Sequence, residues 1–261
     1  MEELFRHILG LPVLASKHGE DVDKLIIYVH YLMAILFVGW ILYFFYVLFR
    51  FRKGAHPKAD YVGIRGHASS YVEAAVATIE VILLVVFAVP LWAHQADQFP
   101  DPKEATNIRV IAQQFAWNVF YPGLDGKFGR RDLKFVTPDN QWGFDKSDPD
   151  GKDDPPPLLN TIHVPVDKPV IITLTSKDVI HSFKVIAMRV TQDAIPGVPI
   201  PLHFIPTKVG VYQINCAQLC GLGHSSMSNG RIYVDTQADY DKWIADQNKK
   251  ATSGATSTSF E

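Results

Sequence analysis

The 261-residue chain predicts a transmembrane α-helical hairpin followed by an all-β domain, on three observations. Two long apolar runs lie within the first hundred residues. From Asn107 onward, short β-prone segments alternate with Gly, Pro and Asp clusters. Both cysteines of the chain, Cys216 and Cys220, sit in one glycine-rich loop late in the β region.

Leu25 to Phe49 contains no Asp, Glu, Lys or Arg. At about 1.5 Å per residue it extends about 37 Å, enough to cross a hydrocarbon core with some tilt. Ala74 to Ala93 carries one charged residue, Glu80, and is also long enough to span. A carboxylate at that depth faces protein or water rather than lipid, which marks a face packed on a partner. The expected division is an outer segment at 1–24, a two-helix hairpin at 25–94 with an inner loop at 50–70, a β domain at 95–248 and a flexible tail at 249–261. Arg50, Arg52, Lys53, Lys58 and Arg65 against Asp60 give the 50–70 connection a net charge of +4, whereas residues 1–24 sum to −2. That asymmetry puts the connection inside and both termini, with the β domain, outside. No cleavable signal is evident at the start of the chain. The overall charge of −2 excludes a strongly basic nucleic-acid binder.

Strands are expected at Ile108–Val119, Leu158–Val164, Pro169–Thr175, Ser182–Ile186, Pro201–Pro206, Gly210–Asn215 and Gly230–Val234, an arrangement that suits a Greek-key barrel. Between them, Gly123 to Pro157 reads as a surface insert rich in Gly, Asp and Pro. Asp145, Asp148, Asp150, Asp153 and Asp154 make its later part acidic, either as a solvated tip or as a docking charge for a basic partner. Thr236, with Asp239 three residues on, predicts a capped helix whose Tyr240, Trp243 and Ile244 face the barrel.

The loop C-A-Q-L-C-G-L-G-H-S-S-M places Cys216, Cys220, His224 and Met227 within twelve residues. Thiolate and thioether sulfurs with imidazole favour copper over calcium or magnesium. His181, 35 residues upstream in D-V-I-H-S-F, is the candidate second imidazole. A single blue-copper centre uses one cysteine, so the second needs a reason. Two thiolates can bridge two coppers: Cys216 and Cys220 spanning both metals, His181 and His224 capping one each, and Met227 and the Gln218 main-chain carbonyl acting as weak ligands. The alternative is a C-x3-C disulfide beside a core histidine, which an oxidising compartment permits. A disulfide, however, requires neither the His and Met at these offsets nor so many glycines. In that compartment copper loading is expected to need assistance.

With this loop, D-V-I-H-S-F at 178–183, T-Q-D-A-I-P-G at 191–197 and Q-F-A-W at 114–117, the chain resembles cytochrome c oxidase subunit II over most of its length. The resemblance implies a cupredoxin-like barrel with a dinuclear copper-A centre. It also implies cytochrome c as donor, haem in subunit I as acceptor, and contacts with subunit I, other oxidase subunits and lipid. It implies the periplasmic side of a bacterial cytoplasmic membrane for the copper domain and both termini. Glu73 matches the family's acid near the mouth of a proton path. Phe115 stands where the family usually has the tryptophan through which electrons enter, so Phe115, Trp117 and Tyr121 are the entry candidates. Gln218 replaces the usual glutamate, which leaves copper binding intact and puts the interfacial magnesium in doubt. Asp178, Arg189 and Asp193 flank the first histidine segment, either to help conduct electrons or hold the subunit interface or, as is the more expected reading, as ordinary surface ion pairs. A copper-A subunit of a nitric oxide reductase is the nearest alternative. A membrane-anchored copper chaperone with C-x3-C is a more distant one, poorly matched by the strands, Met227 and the paired apolar helices.

Overall fold

The computed structural model describes residues 2–58, 61–63 and 66–252. The chain divides into a helical unit, 1–11 with 20–97, and a β unit, 12–19 with 98–261.

In the helical unit, α1 (Glu2–Ile8) precedes α2 (Gly19–Arg50). The first turn of α2 carries Glu20 and Asp21, acids that the helix dipole favours there. That start extends the apolar run backward by six residues from Leu25, because charged residues suit a helix end that lies outside lipid. The second span is continuous over Ala68–Asp97, built of α3 (Ala68–Ile82), a π-helical stretch (Leu83–Ala88) and α4 (Val89–Asp97). Its irregularity has a cause. Pro90 has no N–H to donate one turn back, and the Val89 N–H reaches Leu84 O in the wider π pattern just before it. Both spans, 32 and 30 residues, are long and apolar enough to cross a membrane. Glu73 and Glu80 lie on α3 and are exposed within this unit.

The β unit is a sandwich of two five-stranded sheets. Its strands are β1 (Thr106–Gln113), β2 (Ala116–Phe120), β3 (Leu158–Leu159), β4 (Thr161–Pro165), β5 (Val170–Ser176), β6 (His181–Val185), β7 (Val190–Ala194), β8 (Ile200–Phe204), β9 (Gly210–Cys216) and β10 (Gly230–Asp235). One sheet runs β3-β2-β1-β5-β8 and the other β4-β10-β9-β6-β7. β1 pairs parallel with β5, and β4 with β10, so the chain crosses between sheets as a Greek key does. Side chains at alternate positions meet between the sheets: Ile108, Val110 and Ala112 of β1, Val170, Ile172 and Leu174 of β5, Phe183 and Val185 of β6, Ile232 and Val234 of β10.

The expected strand Ile108–Val119 is in fact a hairpin. The chain reverses at Gln114 and Phe115, and β1 and β2 pair antiparallel with Ala112 opposite Trp117. β7 lies outside the expected strands, because V-T-Q-D-A is a short edge strand whose outer face is polar. The insert also departs from a solvated tip. Its carboxylates point inward onto backbone: Asp154 accepts from Gly123 and Gly129 N–H (2.9 Å each) and Asp148 from Arg130 N–H (2.6 Å). Asp145 pairs with Arg130, Asp153 accepts from Asp125 N–H, and Asp150 pairs with Lys127. Trp142 and Phe144 stack edge-on against Phe120, with Arg131 over Phe120 and Phe144. All five aspartates therefore tie the two arms of the insert to each other, while Trp142 and Phe144 seat it on Phe120 of the domain.

Residues 12–19 add a strap to the β unit. Ala15 and Ser16 are fully buried. Ala15 N–H donates to Ala187 O (2.8 Å), Lys17 N–H to Ile205 O (3.0 Å), Thr207 N–H to Ala15 O (2.8 Å) and Ser16 Oγ to Met188 O (2.7 Å). Arg189 donates to the carbonyls of Pro12 and Val13. After the last strand, α5 (Gln237–Thr252) begins with Thr236 Oγ1 accepting from Asp239 N–H, the expected cap. Trp243 and Ile244 pack on the core, and the helix continues to Thr252, through the first residues of the expected tail. Residues 253–261 of that tail lie outside the described residues.

Candidate metal centre

The four sulfur and imidazole donors meet at one end of the sandwich. His181 opens β6 and Cys216 closes β9; these strands pair with Phe183 opposite Cys216, and Ala217 N–H donates to Ser182 O. The sheet itself thus brings the first histidine to the first cysteine. His181 Nδ1 lies 4.0 Å from Cys216 Sγ, Cys216 Sγ lies 3.9 Å from Cys220 Sγ, and Cys220 Sγ lies 3.4 Å from His224 Nδ1. One donor atom each from His181, Cys216 and Cys220 fit within 4.8 Å of one another. The Cys216 thiol donates to Gln218 O at 3.0 Å, which puts that carbonyl at the same cluster. Met227, buried, follows on the 3-10 turn His224–Asn229, and its main-chain O accepts from Trp117 Nε1 (2.9 Å). Both cysteines are free thiols, not a disulfide.

Charge at the cluster is set by burial and by one carboxylate. Burial, then the neighbouring Cys216, push the Cys220 thiol up to about 11, and Asp178 acts in the same direction. Two thiolates so close together call for positive charge, which a bound soft metal ion supplies; the donor set of sulfur, imidazole and carbonyl fits copper. Asp178 Oδ1 lies 2.9 Å from His181 Nε2, leaving Nδ1 as the nitrogen turned to the sulfurs. Burial alone would raise the Asp178 carboxyl, yet hydrogen bonds from Gln114 N–H, His181 and Val179 N–H outweigh it and hold the group below its ordinary value. Asp178 is thus a partner of the candidate ligand rather than an ordinary surface ion pair. Its place three residues before His181 was the signal for that role.

The aromatic candidates separate. Phe115 is half-buried and covers the loop: a Cβ on Gly223 would fall 2.3 Å from its ring, and one on Gly221 3.0 Å. Trp117 is wholly buried, edge-on to Phe183 and to the His181 ring (6.2 Å). Tyr121 is buried against Trp243, and its hydroxyl bonds the backbone of His163. The Gln218 side chain is exposed. Gln114, whose amide donates to Cys220 O, was not singled out in the sequence.

A two-sheet β domain with a soft-donor loop at one end, joined to two membrane-length helices, defines a membrane-anchored cupredoxin-like protein. The family model for the periplasmic domain of cytochrome c oxidase subunit II matches residues 156–234. The probable cytochrome c oxidase subunit 2 of Rickettsia bellii is 30% identical over 95% of this chain and 87% of its own. The alternative cytochrome c oxidase subunit 2 of Bradyrhizobium diazoefficiens is 29% identical over 87% and 80%. Among solved structures, the periplasmic domain of subunit II of cytochrome oxidase from Bradyrhizobium japonicum is 28% identical, covers 56% of this chain and 94% of its own, and has a TM-score of 0.41. The chain belongs to the cytochrome c oxidase subunit II family. It is accordingly a membrane-anchored subunit of a haem-copper oxidase, an oxidoreductase complex.

Proposed function

We propose that this chain is the electron-entry subunit of its oxidase, with a dinuclear copper-A centre that takes electrons from cytochrome c and passes them to haem in subunit I, where oxygen is reduced to water. The carrying observation is the order of donors: an imidazole, two sulfurs and an imidazole in succession, at 4.0, 3.9 and 3.4 Å. Two central sulfurs with one imidazole at each end is the arrangement that two bridged, separately capped metals need. Two copper ions held there would share one unpaired electron and supply single-electron exchange with little rearrangement. His181 and His224 would cap the metals, Cys216 and Cys220 would bridge them, and Met227 and the Gln218 carbonyl would be the weak ligands. Asp178 fixes which nitrogen of His181 faces the sulfurs. Phe115 is the entry contact, since it alone of the three aromatic candidates is both part-exposed and seated on the loop; Trp117 lies beneath, against His181.

The strap supports the topology. Residues 12–19 precede one apolar span and the β strands follow a second, yet they form one hydrogen-bonded unit, so the two spans cross in opposite directions. With the net +4 connection inside, the copper domain and the N-terminal segment are periplasmic, on a bacterial cytoplasmic membrane with lipid around the hairpin. Glu73, on α3, is the proton-path candidate. Magnesium is not assigned, because the neutral Gln218 amide is a poor ligand for a hard dication. The nitric oxide reductase alternative shares the centre and differs only in the large subunit.

Paramagnetic resonance of the copper-loaded full chain tests the centre. Seven hyperfine lines and two coppers per chain are expected. A four-line spectrum from one copper would remove the dinuclear assignment.

A further inference from the structure

The sheet accounts for only half of the centre. Cys216 is locked to the His181 strand by the β6–β9 pairing, whereas Cys220 lies four residues beyond the end of β9, on a loop that the pairing does not reach. Something else must set its position.

Gln114 does so from the β1–β2 turn, with two donors aimed in different directions. Its backbone N–H gives a 2.7 Å bond to Asp178 Oδ2, and the other oxygen of that carboxylate faces His181 Nε2. Its side-chain amide gives a 2.6 Å bond to the main-chain O of Cys220. The fit is close: a Cβ on Gly221 would lie 2.9 Å from the Gln114 amide nitrogen, and Gly221 has φ +135°, a conformation that glycine tolerates. We infer that Gln114 is a positioning residue for the metal centre, tethering the Cys220 end of the loop to the carboxylate that orients His181. This rests on the copper reading of the same donors. Outer groups of this kind govern metal affinity by holding ligands in place before the ion arrives.

Gln114→Met keeps the size and neutrality of the side chain and removes its donor; Gln114→Ala removes both. In the metal-free full chain in detergent, alkylation of Cys216 and Cys220 by iodoacetamide is followed separately by mass spectrometry. Cys220 should react about fivefold faster in both variants, the order of magnitude of one lost neutral hydrogen bond, with Cys216 and Tm nearly unchanged. Copper affinity, measured against a competing chelator, should fall about tenfold or more. Wild-type Cys220 reactivity and copper affinity in Gln114→Met would overturn the tether. Equal acceleration of both cysteines together with a lower Tm would also overturn it, as general loosening. Should the wild-type chain bind no copper while Cys220 still responds to Gln114, the tether stands and the copper reading falls.

Discussion

His181, Cys216, Cys220 and His224 are 43 residues apart at most in the chain, and their types and spacing made them legible before any fold was known. Geometry adds what residue types cannot express: which nitrogen of His181 is committed to Asp178, and that Trp117 is enclosed while Phe115 reaches the surface. Ligand substitutions should rank accordingly. Cys216→Ser or Cys220→Ser is expected to abolish the mixed-valence spectrum, because one thiolate cannot form a double bridge. Met227→Leu should keep copper and shift the potential. A seven-line spectrum surviving in either cysteine variant would contradict the ligand set. Phe115→Ala should slow reduction by cytochrome c at least tenfold while the copper absorption bands stay in place; stopped-flow traces matching wild type would move electron entry elsewhere.

At the scale of elements, strands with strict alternation were readable because one face is buried, whereas the Gln114–Phe115 reversal and the β7 edge carry little periodic signal. The insert misled for a different reason. Composition counts aspartates but does not say whether they face water, and here Asp145, Asp148 and Asp154 satisfy backbone or arginine groups. Neutralising all five should therefore loosen the insert, so any change in the salt dependence of donor binding would report unfolding as well as charge. Hydrogen bonds from Ser147, then from Arg130, lower the Asp145 carboxyl to about 2, below the unfolded value of about 3.9. Its contribution is thus fully present above the unfolded value and lost as pH falls through about 2. Hydrogen exchange over residues 130–148 should be faster in Asp145→Asn than in wild type at pH 6, with the two converging near pH 2. Identical protection at pH 6 would show that this pair does not hold the insert.

For the whole molecule, the sequence divided anchor from domain but could not show that the β unit borrows residues 12–19 from ahead of the first helix, since L-A-S-K has neither length nor pattern enough to mark a strand. Ser16→Ala would leave Met188 O without its buried donor and should cost about 2 kcal/mol, lowering the Tm of the β unit by several degrees with the centre's spectrum retained. An unchanged Tm would mean that the strap lies on the domain without supporting it. The strap also sets an order of events in time. Ser16 meets Met188 across 172 residues of chain, a separation that includes both apolar spans. Ribosomes deliver the early residues first, yet their partners at Ala187, Met188, Ile205 and Thr207 are made only after both apolar spans. Closing so long a loop is slow and comes late in folding. In the proposed topology, a chain whose second span failed to return across the bilayer would be unable to seat Ala15 and Ser16 against Ala187, Met188 and Thr207.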